Sequence, residues 1–178
     1  ASGLLQVGDI FTLRELLSPL LIESSNDAAS ALTQAIGKTA FIELMNLEAE
    51  NLALEDTHFV NATGLDPDTP GGPINYASPA DLALLLQHII TNYPLILEIL
   101  PVQQADLYTQ EGIFHHTMLS TNELLSYIGW PTTILGGKTG WTPLAQESLA
   151  LILKGPKEKG STYITKPYMY PVDGVEVL

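Results

Sequence analysis

The sequence predicts an α+β fold in which helices pack on an antiparallel sheet, and three observations carry that expectation. Capped segments with apolar residues at helical spacing fill the first half. Short β-branched or alternating segments bounded by turn residues fill the second. Hydrophobic residues make up 46% of the 178-residue chain and charged residues only 15%, enough apolar material for a sizeable core. Helices followed by strands favour α+β over alternating βαβ units. The length suits one domain, or one domain and part of another.

Taken in order, "TLRELLSPLLIE" opens with Thr12 and Glu15 spaced as a capping box and continues with leucines at helical spacing. Pro19 should kink or break this helix. "SSND" then reads as a short polar link, and "AASALTQAIGK" as an alanine-rich helix that Gly37 can close. "TAFIELMNLEAENLAL" is a third helix, "THFVNATGLD" a short strand running into a turn, and "DPDTPGGPIN" a loop. In "SPADLALLLQHIITNYP" Ser78 caps, Pro79 takes the first position and Asp81 lies in the first turn. The apolar run "LALLLQHIITNYPLILEIL" is interrupted by Gln87, His88, Asn92 and Pro94 and reads as two core helices, not a membrane span. "VQQADLYT", "PTTILGG", "ESLALILK" and "STYIT" are strand segments, with "KGPKEKG" as a hairpin turn before the last; "KPYMYPVDGVEVL" does not continue the strand pattern. The opening "ASGLLQVGD" has no basic region and no methionine, so the chain is expected to begin partway through a longer pattern.

A net charge of −13 disfavours nucleic acid and anionic membrane as partners, because the attraction to phosphates would have the wrong sign. Cysteine is absent, which removes disulfides, thiol nucleophiles and thiolate metal sites. His115 and His116 lack other residues at ligand spacing and read as a strand or loop edge rather than a metal site. "NAT" at Asn61 fits a glycosylation sequon but reads better as a tight turn. Trp130 and Trp141 each suit a core, and Trp141 also suits the wall of a groove.

Two stretches carry candidate chemistry. In "SSND", Ser24 and Asn26 stand two residues apart between helices, where an N-cap is the ordinary explanation. In "GGKTGWT", Lys138 is the only lysine or arginine between Lys38 and Lys154. Glycines weaken strands unless something approaches the backbone closely, and a ligand along the strand edge would do so. Together, in this order, the two stretches match the second and third motifs of active-site serine penicillin-recognising enzymes.

The likeness extends further. "VGDIFTLRELLSPLLIESSNDAASAL", "HFVNATGLD", "ASPADLALLL", "STNELL" and "GGKTGWT" resemble, in order, blocks of the serine D-alanyl-D-alanine carboxypeptidases, the low-molecular-weight penicillin-binding proteins of peptidase family S11. The resemblance covers roughly Gly3 to Leu153 and implies a transpeptidase-like fold. Residues 1–155 would form a partial D,D-peptidase domain; 156–178 would hold a hairpin turn, a last strand and an unassigned tail. It implies that Ser24 passes a proton to the leaving group and that Asn26 holds the substrate's amide. Lys138 and Thr139 would take the terminal carboxylate of a D-Ala-D-Ala stem peptide, with Gly140 and Thr142 beside it, and the Trp141 amide would donate to an oxyanion hole. Stem peptides would be substrates, β-lactams covalent inhibitors of the complete enzyme, and the compartment extracytoplasmic, periplasm or cell surface. Neither cofactor nor metal is implied, since serine acyl transfer needs neither.

One departure matters. Acylation needs a serine with a lysine one helical turn on, and no Ser or Thr here has a lysine three residues later. Three explanations compete: a fragment whose preceding segment carries the nucleophile, a degenerate binder, or an incomplete sequence. The first is favoured, because the two motifs present are intact; the chain alone is then expected to be inactive, with the preceding segment as a complementing chain. The alternatives are a non-catalytic peptidoglycan- or β-lactam-binding module, a class A-type serine β-lactamase using Glu123 as base, or a D,D-endopeptidase.

Overall fold

The computed structural model describes residues 4–126 and 133–154, and the backbone of 167–169. Five helices precede the strands: α1 (Leu13–Ile22), α2 (Asn26–Gln34), α3 (Lys38–Asn51), α4 (Pro79–Asn92) and α5 (Pro94–Ile99). Strands β1 (Gln104–Tyr108) and β2 (Phe114–Leu119) pair antiparallel in a sheet of their own. After a 3₁₀ turn at Glu123–Ser126, β3 (Thr133–Thr142), β4 (Gln146–Lys154) and β5 (Pro167–Met169) form an antiparallel sheet in that order. The α+β expectation holds.

Helix starts follow local chemistry. The Thr12 hydroxyl accepts from the Glu15 N–H and the Glu15 carboxylate accepts from the Thr12 N–H, a reciprocal capping box. Ser78 caps α4 by accepting from the Asp81 N–H, with Pro79 at its first position. Helix α1 runs through Pro19 instead of ending there. The ring forgoes one helical bond, while its carbonyl accepts from the Ser25 N–H at 3.0 Å across the next turn. Helix α3 ends in a Schellman turn, with Leu54 N–H on the Ala49 carbonyl, Ala53 N–H on the Glu50 carbonyl, and Ala53 at φ +54°.

Three expectations are corrected. "THFVNATGLD" forms no strand, only an isolated bridge between His58 and Tyr76. The segment is instead tied by amides: Asn46 bonds both the N–H and the carbonyl of Phe59, and Asn61 Oδ1 accepts from Thr63 and from the Gly64 N–H. Asn61 is thus the tight turn expected in place of a sequon. Helix α4 is not a core helix, for its one buried residue is Asp81, which accepts from the Asp56 N–H and the Thr57 hydroxyl at 2.8 Å each. Of its leucines, Leu82, Leu85 and Leu86 are half-buried and Leu84 is exposed. Finally, the start of "KPYMY" does join the sheet, as β5 on β4. The expected strand "STYIT" and the hairpin turn "KGPKEKG" lie outside the described residues, as does Trp130.

The main core joins Ile22 of α1, Ile99 of α5, Leu107 of β1 and Met118 of β2, with Phe11, Leu17 and Leu95 around them. Each such buried side chain contributes about 2 kcal/mol. This packing seats the end of α1 against the small sheet, and the turn after α1 carries Ser24. Among the described residues no helix is long and apolar enough to cross a membrane.

Candidate active site

Ser24 occupies the turn between α1 and α2 with φ +59°, a left-handed conformation that a residue with a Cβ adopts at a cost. Ser25, fully buried, is the actual cap of α2, its hydroxyl accepting from the Ala28 N–H at 3.2 Å. The cap explanation for "SSND" therefore belongs to Ser25, and it leaves Ser24 and Asn26 to either side. Asn26 is the first residue of α2, half-buried. Having Ser25 as the cap fixes where its neighbours stand.

Strand β3 brings Lys138 to that turn. Its Nζ donates to Ser24 Oγ and, at 2.7 Å, to the carbonyl of Thr139. Burial pushes the Lys138 pKa down from 10.5 to about 8. At neutral pH it therefore remains mostly a cation, in a protein whose overall sign is negative.

The other residues of the stretch divide. Thr139 Oγ1 lies 2.5 Å from Thr121 Oγ1, linking β3 to the segment before the 3₁₀ turn. Gly140 is exposed, and Trp141 is 65% exposed beside it. Thr142 is buried, and its hydroxyl accepts from the Ala145 N–H, closing the β3–β4 turn. Ser24, Asn26, Lys138, Thr139, Gly140 and Trp141 thus lie on the turn and the strand that Lys138 joins, whereas the Thr142 hydroxyl is committed to the hairpin.

Gly136 and Gly137 have a different reason from the one expected. A Cβ on Gly136, at φ +146°, would lie 2.6 Å from Leu100 Cβ; one on Gly137 would lie 2.5 Å from the Ala150 carbonyl oxygen and 3.1 Å from Asn122 Nδ2. The protein's own atoms, not a ligand, demand the absence of side chains there. Strand β3 pairs with β4 on one side, and among the described strands nothing pairs with the other. That free edge runs past Lys138 and can take an extended chain by backbone hydrogen bonding.

Sequence reading missed several residues. Thr121 and the buried Asn122, whose Nδ2 has no hydrogen-bond partner among the described residues, lie within "STNELL" but carried no expected role. Glu123, the residue available to the β-lactamase alternative, is exposed. His115 and His116 are bound to Asp9 and Glu23, residues more than ninety positions away, which no spacing rule could show. No group of three or more His, Asp or Glu among the described residues is arranged to hold a metal.

Comparison with known proteins supplies the context. The D-alanyl-D-alanine carboxypeptidase (peptidase S11) family profile matches residues 2–157. The D-alanyl-D-alanine carboxypeptidase DacD of Escherichia coli (strain K12) is 37% identical over 142 residues, 78% of this chain and 33% of that protein. DacB2 of Mycobacterium tuberculosis (strain ATCC 25618 / H37Rv), also a D-alanyl-D-alanine carboxypeptidase, is 32% identical over 165 residues, 92% of this chain and 52% of that one. The chain thus spans a third to a half of these relatives. Among solved structures, a D-alanyl-D-alanine carboxypeptidase from Mycobacterium tuberculosis H37Rv superposes with a TM-score of 0.73 at 28% identity, covering 92% of this chain and 58% of that one. Ampicillin-bound penicillin-binding protein D2 from Listeria monocytogenes gives 0.68 at 31%, covering 89% and 58%. With the penicillin-binding fold, the Ser24–Lys138 contact and a family match over nearly nine-tenths of its length, the chain belongs to the peptidase S11 family of D-alanyl-D-alanine carboxypeptidases.

Proposed function

We propose that this chain carries the substrate-binding side of a serine-type D-alanyl-D-alanine carboxypeptidase acting on peptidoglycan stem peptides, and that alone it binds without turning over. The observation that carries this reading is the Lys138–Ser24 contact, made by an edge strand to a left-handed turn. An extended peptide laid along β3 would place its terminal carboxylate near the Lys138 ammonium and the Thr139 hydroxyl. In water such a charge pair is screened beyond about 8 Å, so a partly buried cation attracts the ligand locally while the acidic surface repels it at long range. The Trp141 N–H would supply an oxyanion donor, Asn26 would hold the peptide amide, and Ser24, polarised by Lys138, would hand a proton to the departing D-alanine amine.

An acyl-enzyme requires a nucleophilic serine with an adjacent base, and the 178 residues hold no Ser-x-x-Lys or Thr-x-x-Lys. A separate segment would have to supply it. The cell wall as substrate implies work outside the cytoplasmic membrane. β-Lactams would compete for the same edge.

The test is a titration of the chain with a peptide ending in D-Ala-D-Ala, followed by amide NMR shifts and assayed for free D-alanine. Saturable shifts at Ser24, Asn26 and Thr139–Trp141, lost in Lys138→Ala and without D-alanine release, are expected. Absence of binding would overturn the substrate assignment. Release of D-alanine would overturn the inactivity of the chain alone.

A further inference from the structure

His115 and His116 are neighbours on β2, so ordinary pleating would send their rings to opposite faces. The β1–β2 register prevents it: His116 faces Leu107 and Phe114 faces Tyr108, which leaves His115 as the extra residue of a β-bulge. The bulge re-aims the ring, and the two Nδ1 atoms come to 2.6 Å. The outer nitrogens are pinned, His115 Nε2 at 3.0 Å from Asp9 Oδ2 and His116 Nε2 at 3.0 Å from Glu23 Oε2. Both rings are largely buried, 14% and 11% exposed, and Phe11 stands edge-on to His115.

We propose that Asp9, His115, His116 and Glu23 form a proton-sharing clamp that positions the turn bearing Ser24, and that both acid and alkali open it. The proton count follows from donor chemistry. A carboxylate only accepts, so each Nε2 must carry a hydrogen. Two facing Nδ1 atoms can bond only if one carries a hydrogen and the other a lone pair. Three protons therefore occupy four ring nitrogens: one ring is an imidazolium, the other neutral, and the foursome carries a net charge of −1 (two carboxylates and one cation). The ionised form of Asp9 fits, since the Gln6 N–H and His115 hold its carboxyl below the usual range.

Adding a fourth proton sets two N–H groups against each other; removing one sets two lone pairs against each other and two carboxylates beside neutral rings. Either change breaks the Nδ1 contact. The charged groups in contact with the rings are the carboxylates of Asp9, from the N-terminal segment, and Glu23, at the end of α1; Asp106 of β1 is exposed and bonded to Thr117 one ladder position away, Tyr108 of β1 is exposed, and Lys138 of β3 reaches the same turn through Ser24.

The clamp reaches the site in one residue. Glu23 is the C-cap of α1 and is bonded covalently to Ser24. The left-handed turn is thus held from one side by His116 through Glu23 and from the other by Lys138 through Ser24. That Ser24 is catalytic rests on the function proposed above; the clamp itself does not, and these two histidines are positioning residues.

The experiment uses the whole chain, uniformly labelled with ¹⁵N and without ligand, so its outcome is separate from whether a D-Ala-D-Ala peptide binds. Ring-nitrogen spectra across the acid-to-alkaline range should show both Nε2 atoms protonated and one proton shared by the Nδ1 pair at intermediate pH. The Ser24 and Asn26 amides should shift in the same two steps. Two neutral rings with an unprotonated Nε2 at intermediate pH, or amides that ignore the ring titration, would overturn the clamp. In His116→Gln the amide can still bond Glu23 but shares no proton, so the steps at Ser24 should vanish; their persistence would also overturn it. If that variant does not fold, the spectra of the unaltered chain decide.

Discussion

At the residue scale, Ser24 answers to two demands that pull apart. Its φ of +59° favours glycine, while its hydroxyl accepts from Lys138. Replacing it by alanine keeps the backbone strain and loses the contact; replacing it by glycine loses the contact and relieves the strain. Ser24→Gly should therefore be more stable than Ser24→Ala by about 1 kcal/mol in chemical denaturation, and equal stabilities would show that the turn carries no strain. Lys138 makes a second case. Its pKa falls from 10.5 to about 8 on folding, so the folded state releases its proton first. Below about pH 8 the cost of burying the ammonium is fully present, and stability from this group rises with pH from there to about 10.5. Lys138→Met should abolish that rise and stabilise the protein at neutral pH by about 1–3 kcal/mol. The carboxylate binding proposed for Lys138 should weaken above about pH 8, as the ammonium loses its proton. Both residues were legible in the sequence because motif order isolates them. The histidine clamp was not, because a bulge and two partners distant in the chain leave no local pattern.

At the element scale, caps were readable and context was not. Thr12 with Glu15, and Ser78 with Pro79, declare their helices through bonds spanning three residues, so the sequence contains both partners. The segment around Asn61 has β-forming residues, yet side-chain amides from Asn46 and Asn75 satisfy its backbone in place of a neighbouring strand. A propensity argument cannot see an acceptor fourteen residues away. Helix α4 misled for the complementary reason: apolar content signals a face to be covered, not whether something covers it. A testable weakness sits at the end of α3, where Ala53 fills the left-handed position of a Schellman turn at φ +54° and is exposed. Ala53→Gly should raise stability by about 0.5–1 kcal/mol without altering the fold, measured by thermal or urea unfolding. No gain would mean that the turn relaxes around alanine.

At the scale of the whole molecule, charge and apolar surface oppose each other. Twenty acidic residues against seven basic ones keep copies apart, while Ile36, Leu44, Leu47, Leu84 and Tyr93 on or beside α2–α4 are exposed. Hydrophobic contact acts at short range and the repulsion at long range, so salt should shift the balance. Sedimentation velocity is expected to show a monomer at low ionic strength and concentration-dependent association near physiological salt. A monomer under both conditions would mean that the exposed side chains are too scattered to form a patch. The overall α+β order was visible in the sequence, since helices and strands segregate along the chain. Its division into a two-stranded and a three-stranded sheet was not, because strand pairing depends on contacts that sequence periodicity does not encode.

The edge of β3 that no described strand pairs has a consequence for isotope exchange. In an antiparallel pair, alternate residues of the outer strand turn their N–H groups away from the partner. Along Gly136–Thr142, past the irregularity between Ile134 and Gly136, the amides should therefore fall into two interleaved classes in deuterated water, one slow and bonded to β4, one fast and facing outward. A bound peptide lying on that edge would slow the fast class and leave the slow one unchanged, so the pattern of retained hydrogen would record both which rungs of the ladder a ligand occupies and in which direction it runs.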